Sequence, residues 1–204
     1  YFPDPQDMLH VIRSQGIKVS LNLHPADGFA SHEDRFAEAA RRLNLPAGSE
    51  LIPFDCTDPR VMELYFDAFL RPLEEAGVDF WWLDWQQGDR SRIANLDPLP
   101  WLNQLHWEDM EHKRSDRRPL CFSRYGGLGA GRYPVGFSGD TYVSWKSLAF
   151  QPHMTATAAN VLYGYWSHDI GGHFHGNLSG ELFTRWMQFG IYSPVFRTHG
   201  TKQS

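Results

Sequence analysis

The chain has 204 residues, 42% of them hydrophobic and 21% charged, the balance of an ordinary globular domain or of part of one. Its formal net charge of −5 comes with no basic block, which leaves neither the clustered Lys and Arg of a nucleic-acid footprint nor a polybasic membrane patch, and no stretch has the apolar length of a membrane span. Cys56 and Cys121 match no metal or redox spacing and give no disulfide framework, so the compartment stays open. Aromatic residues make up 15% of the chain, including 8 Trp, and many stand beside Asp, Gly and His rather than in apolar runs. Most of these rings belong to a core, and some are expected to line a cleft for a flat, partly apolar ligand such as a sugar ring.

In chain order, residues 5–15 read as a helix with Met8, Leu9 and Ile12 as its apolar stripe and Gly16 as its stop. Residues 17–23 read as a strand ending at His24. Residues 33–43 form a charged amphipathic helix, and 58–76 another, with Asp58 at the N-cap and Pro59 at the first helical position. A strand at 78–84, a helix at 98–113 and strands at 120–123 and 135–137 follow. Then come a helix at 144–160, a strand at 163–167, a helix at 179–190 and the start of a strand at 193–197.

Strands alternating with helices predict a parallel sheet with helical crossovers, either doubly wound or a (β/α)8 TIM barrel. The strand ends favour the barrel, because His24, Asp84, Arg124, Asp140, Asp169 and His199 all follow strands, and a barrel gathers such ends on one catalytic face. About six of the eight strands of a barrel are expected in the chain. Both ends of the sequence read as cut, so all of 1–204 is expected to be part of one catalytic barrel domain.

Asp79 enters the 78–84 strand and Asp84 leaves it, so Asp79 reads as structural and Asp84 as a candidate for chemistry. Asp84 could equally be a helix cap or a loop carboxylate. Asp140, in Gly-Asp-Thr after a short strand, is a second candidate or an N-cap, and Asp169, ahead of Gly171-Gly172, is a third or a turn residue. Carboxylates gathered beside aromatics suit glycoside hydrolysis, in which one attacks the anomeric carbon and another protonates the leaving oxygen. The glycine run 126–131 lacks a phosphate-loop pattern and reads as a backbone turn. His168, Asp169, His173 and His175 could ligate a metal, but substrate hydrogen bonding and loop packing fit their glycine-rich setting better, so no metal is expected. Asn177-Leu178-Ser179 is a glycosylation sequon, and no nucleophile elbow is present.

Six segments in order resemble glycoside hydrolase family 31, the α-glucosidase and α-xylosidase family. Residues 80–87 resemble its W-I-D-M-N-E nucleophile strand, and Phe122-Ser123-Arg124 with Gly131-Arg132-Tyr133 its R-S…G-x-x-R-Y segment. Residues 137–141 resemble W-x-G-D-N, 168–172 resemble D-I-G-G-F, 185–190 resemble R-W-x-Q-x-G, and 197–199 resemble R-N-H. Gln86-Gln87 stands where the family has N-E, and Phe137 where it has Trp.

The resemblance implies a retaining two-step α-glycosidase with Asp84 as nucleophile and Asp140 as acid/base, needing no metal or organic cofactor. It also implies that Arg124, Asp169 and His199 contact the sugar, with Trp82, Trp145 and His24 as further candidates for sugar-facing groups. The implied partner is a carbohydrate: an α-glycoside, oligosaccharide or glycoconjugate of glucose, xylose, N-acetylgalactosamine or another sugar. A transglycosylase on the same site and an inactive carbohydrate-binding barrel are the alternatives. The N-terminal β-sandwich and C-terminal β domains that the resemblance implies are absent from this chain, and the 204 residues alone are expected to be inactive.

Overall fold

A computed structural model describes residues 2–85, 87–88, 91–113, 117–133 and 135–201. Gln86, one of the two departures in the nucleophile segment, lies outside the described residues. The chain divides into two compact units, Tyr1–Cys121 and Phe122–Ser204.

The first unit opens with α1 (Pro5–Ser14), where the Asp4 carboxylate accepts from the Asp7 N–H at 2.9 Å and Pro5 fills the first helical position. β1 (Ser20–Leu23) leads through a single 3-10 turn, Pro25–Asp27, to β2 (Phe29–Ala30). After α2 (Phe36–Arg42), β3 (Leu51–Ile52) pairs antiparallel with β2. This two-residue ladder is too short to leave a periodic trace in the sequence. Next, the Asp58 carboxylate caps α3 (Pro59–Leu64) by accepting from the Arg60 N–H at 3.0 Å.

The helix expected to run unbroken over 58–76 instead widens to a π-helical stretch at Tyr65–Leu70 before α4 (Arg71–Ala76). Pro72 supplies a reason: it has no N–H for the preceding turn and its ring crowds the carbonyl four residues back, which a widened turn relieves. β4 (Phe80–Leu83) then pairs in parallel with β1, Ser20 opposite Phe80 and Leu23 opposite Leu83, and α5 (Pro98–Lys113) follows.

The core of this unit gathers Phe29, Ile52, Phe54, Tyr65, Trp81, Leu83 and Leu102. Because Trp81 and Leu83 point into it, Phe80, Trp82 and Asp84 fall on the opposite face of β4. At the start of the strand, Asp79 is buried. Its carboxylate accepts from the Val19 N–H at 3.0 Å and lies 3.2 Å from Arg13 Nη1, 3.4 Å from Lys18 Nζ and 3.2 Å from Arg117 Nη1. Burial opposes ionisation there, but the Val19 bond and the Arg13 and Lys18 charges outweigh it and hold the Asp79 carboxyl below the usual carboxylate range.

The second unit holds β5 (Cys121–Arg124, its first residue belonging to the first unit), β6 (Val135–Phe137) and β7 (Trp166–Ser167), neighbours in sequence order and parallel throughout. Strands that stay in sequence order are what a barrel requires, whereas a doubly wound sheet reverses. α6 (Trp145–Ala159) joins β6 to β7, with the Ser144 hydroxyl as its N-cap, and α7 (Gly180–Gly190) is capped by Ser179. Asp140 is therefore not the cap of α6. The sixth expected strand, 193–197, is reduced to isolated parallel bridges, Ser167 to Val195 and Ile170 to Thr198. Two small cores support the unit: Ala130, Ala158, Tyr163 and Trp166 in one, and Val143, Ile170, Leu182 and Trp186 in the other. Among the described residues no helix is long and apolar enough to cross a membrane.

Candidate active site

In the first unit the polar residues collect where β1 and β4 end. Asp84 follows β4 directly and is buried. Its Oδ2 accepts from Asn22 Nδ2 at 3.2 Å, its Oδ1 accepts from the Trp85 N–H at 2.8 Å, and His24 Nε2 lies 3.5 Å from Oδ2. Donors on both oxygens fix the carboxylate plane.

The chain turns sharply just after it. Trp85 (φ 61°) and Gln87 (φ 70°) both occupy the left-handed region, a conformation that costs a non-glycine residue about 1 kcal/mol or more. The buried Gln87 side chain holds this turn by donating from Nε2 to the carbonyls of Asp84 and Trp85. Trp85 is half-exposed, its ring edge-on to His24 at 6.1 Å. Trp82 stands opposite Asn22 in the β1–β4 register, on the same face as Asp84. Asn22 gave no sequence signal beyond a polar residue inside a short strand, and Gln87 stood out only as a departure from a motif.

In the second unit a connected set of charged and ring groups follows β5, β6 and β7. Arg124 closes β5, is nearly buried, and donates from Nη2 to Asp140 Oδ1 at 3.2 Å. Its guanidinium also lies over the Phe137 ring at 5.3 Å. Gly139 makes this approach feasible, for it has φ 73° and a Cβ there would sit 2.8 Å from Arg124 Nη1.

His173 Nε2 lies 3.9 Å from Asp140 Oδ1, and its ring stacks on His199 with centroids 4.5 Å apart and planes at 10°. Burial is the largest influence on His199 and, with the Arg197 and His173 charges, lowers its pKa against the opposing pull of Asp169 and Asp140. Asp169 is fully buried; its Oδ1 accepts from Arg197 Nη2, and Arg197 Nε donates to Ser167 Oγ at 3.0 Å. His168 lies behind them, fully buried, with Nδ1 donating to Gln151 Oε1 at 2.9 Å and Nε2 sharing a 3.1 Å hydrogen bond with the Thr155 hydroxyl.

The histidine loop thus divides its tasks. His168 braces α6, Asp169 pairs with Arg197, and His175 packs its ring against Tyr142 at 5.6 Å. The four residues weighed from the sequence as a possible ligand set, His168, Asp169, His173 and His175, do not come together among the described residues. Asp140, His173 and His199 do present donor atoms within 4.8 Å of one another. Arg124 already binds Asp140, however, and face-to-face imidazoles aim their lone pairs along parallel lines rather than at one point. The arrangement suits hydrogen bonding to a hydroxylated ligand better than holding a cation.

Beside Asp140 opens a pocket of about 390 Å³ between the 138–142 loop and α6. Trp145 opens α6 half-exposed and is not one of the residues that line it. Asp140 lines this pocket while Arg124 and His173 hold it, and Asp84 carries its own donors in the first unit.

All 204 residues match the profile of the glycosyl hydrolases family 31 TIM-barrel domain. The chain belongs to glycosyl hydrolase family 31. It is 24% identical to an α-xylosidase of Saccharolobus solfataricus, a match covering 98% of this chain and 30% of the relative. It is 27% identical to human neutral α-glucosidase C, over 98% of this chain and 26% of the relative. A cycloalternan-degrading enzyme from Trueperella pyogenes, solved with cycloalternan, superposes with a TM-score of 0.79 at 17% identity, over 98% of this chain and 31% of that one. That likeness concerns the fold, a TIM barrel of which the chain forms an incomplete part. The chain spans about 30% of the length of the S. solfataricus relative.

Proposed function

We propose that this chain supplies the two catalytic carboxylates of a retaining α-glycosidase, within a barrel completed by further polypeptide. Asp84 is the nucleophile. It attacks the anomeric carbon as the glycosidic C–O bond breaks, and Asp140 passes its proton to the departing oxygen. In the second step Asp140 takes a proton from water, the water oxygen bonds to the anomeric carbon, and Asp84 leaves.

The observation that carries this reading is the setting of Asp84 in a family 31 barrel. It is a buried carboxylate at the C-terminal end of a strand, the end at which barrels place their chemistry, with donors on both oxygens. Arg124, Asp169 and His199, with Trp82, Trp145 and His24, are the proposed sugar contacts. The named activities of the relatives favour α-xylosides and α-glucosides as substrates.

The test screens the full-length protein against aryl α-glycosides of xylose, glucose, galactose and N-acetylgalactosamine, beside Asp84→Ala and Asp140→Ala. One glycoside is hydrolysed and both substitutions abolish turnover. Azide then rescues Asp84→Ala to a β-glycosyl azide and Asp140→Ala to an α-glycosyl azide. Full activity in Asp84→Ala overturns the assignment, and no turnover of any α-glycoside would place a carbohydrate-binding barrel first.

A further inference from the structure

The end of β4 away from Asp84 carries a cavity of its own. Its volume is about 180 Å³, and it lies wholly within the first unit, among the residues that lead into β1, β4 and β5 and beside the last turn of α5. Three cations line it, Lys18, Arg117 and Arg118, against one carboxylate, Asp79. Lys18 stands far in the chain from the arginine pair, so the fold makes this concentration of positive charge.

Asp79 does not neutralise it. The Asp79 Oδ2 already accepts from the Val19 N–H at 3.0 Å and lies 3.2 Å from Arg13 Nη1. Its Oδ1 lies 3.4 Å from Lys18 Nζ and 3.2 Å from Arg117 Nη1, so one acid is shared among three cations. Arg118 takes no part in that anchoring. It is exposed and has no carboxylate partner among the described residues. The wall opposite the charges is apolar: Met110 is buried, Pro119 half-buried, and Leu120 still exposed. An apolar wall with a few convergent polar groups is the usual build of a small-molecule site.

The size of the cavity narrows the ligand. An engineered cavity of about 150 Å³ holds a benzene ring, so this one admits a single ring with a small substituent and is too small for a nucleotide or an oligosaccharide.

We propose that this cavity binds a small organic anion, a single ring bearing one carboxylate or phosphate. The ring lies against Met110, Pro119 and Leu120, and Lys18, Arg117 and Arg118 share the charge. The start of β4 is about 17 Å from Asp84, five residues at about 3.3 Å each, so the anion and a sugar at Asp84 bind without meeting. The site stands whether or not the catalytic reading does.

The experiment uses the full-length protein and fluorine NMR, with 4-fluorobenzoate and 4-fluorophenyl phosphate as probes. Neutral 4-fluorobenzyl alcohol tests the charge, and acetate, as a competitor, tests the ring. At least one anionic probe should bind saturably, about ten-fold or more tighter than the alcohol and than acetate, and its affinity should fall as ionic strength rises. The tighter of the two probes identifies the head group as carboxylate or phosphate. Lys18→Ala and Arg118→Ala should each weaken that probe about two- to five-fold, and Arg118→Lys, which keeps the charge, should weaken it less. Arg118 supports nothing else in the fold, so its variants read binding without a folding defect. Xylose and glucose should leave the probe bound.

The site is refuted by the absence of saturable binding of either anion, by an alcohol or acetate that binds as tightly, or by affinities unchanged in both alanine variants. Displacement of the probe by xylose or glucose would place the anion at the strand ends around Asp84 and refutes it equally.

Discussion

His168 makes acid stability a direct probe of the second unit. Burial, helped by the Arg197 charge, lowers its pKa from 6.5 to about 4. In the unfolded chain it titrates near its ordinary value, so below about pH 6.5 the unfolded state binds a proton that the folded state refuses. The stability held by neutral His168 is complete above pH 6.5, falls as pH drops, and is spent once pH reaches the folded value near 4. At about 1.36 kcal/mol per pH unit, the loss between pH 7 and pH 4 comes to about 3 kcal/mol. His106, held in the first unit by a 2.8 Å hydrogen bond with Tyr65 and lowered by burial to about 3, adds a similar loss over the same window.

The substitution to make is His168→Asn, which can still donate to Gln151 Oε1 but does not titrate. It costs stability at neutral pH, so the readout is the slope. Urea unfolding from pH 7 to 4 should show the variant losing about 3 kcal/mol less than wild type. Hydrogen exchange of peptides covering 144–170 should locate the difference. Parallel profiles within about 1 kcal/mol would refute the reasoning.

Asn22→Ala removes one of the donors to Asp84. A hydrogen bond to a charged group is worth about 1.5–3 kcal/mol, so kcat/KM on the accepted glycoside should fall about ten- to one-hundred-fold, and a change under two-fold would count against Asp84 being positioned this way. Gly139→Ala combines a left-handed backbone with a Cβ crowding Arg124, and should cost about 1–2 kcal/mol of stability while lowering kcat; unchanged kinetics would show that Arg124 does not set the Asp140 carboxyl. Asp79→Ala strips the acceptor from Val19 and the counter-ion from Arg13, Lys18 and Arg117. With those cations partly solvated, it should cost about 2–3 kcal/mol, seen as a lower urea midpoint at constant slope. Because the Asp79 pKa is lowered on folding, that cost should shrink as pH falls below the ordinary carboxylate value.

The sequence carried the alternation of strands and helices and the polar residues at strand ends, because period, caps and breakers are local properties. Asp58 with Pro59 announced α3, and the opposite faces taken by Asp79 and Asp84 on one strand could be read from parity alone. What it did not carry depends on partners distant in the chain. The β2–β3 ladder joins two residues on each side across a long connection. Strand 193–197 keeps only scattered bridges, since a strand exists only where a neighbour pairs with it. Asn22 acquires its role from Asp84, far along the chain, and the rings of the Asp140 pocket come from three separate segments. Trp145 drew attention by its identity, while Tyr142 and Phe150 line that pocket by virtue of where the 138–142 loop meets α6.

β4 is four residues long and bears an acid just beyond each end. One acid is spent on cations that clamp the neighbouring helix and strand, and the other, held by Asn22 and the Trp85 N–H, is the proposed nucleophile. Anchoring and the proposed reactivity thus fall on different carboxylates of one short rod, with the hydrophobic grip of Trp81 and Leu83 between them. The loop after Asp84 can therefore be rewritten, as Gln87 illustrates, without loosening the foundation at Asp79. On the proposed reading, a change of sugar preference can be made at one end of the rod while the fastening at the other end stays intact.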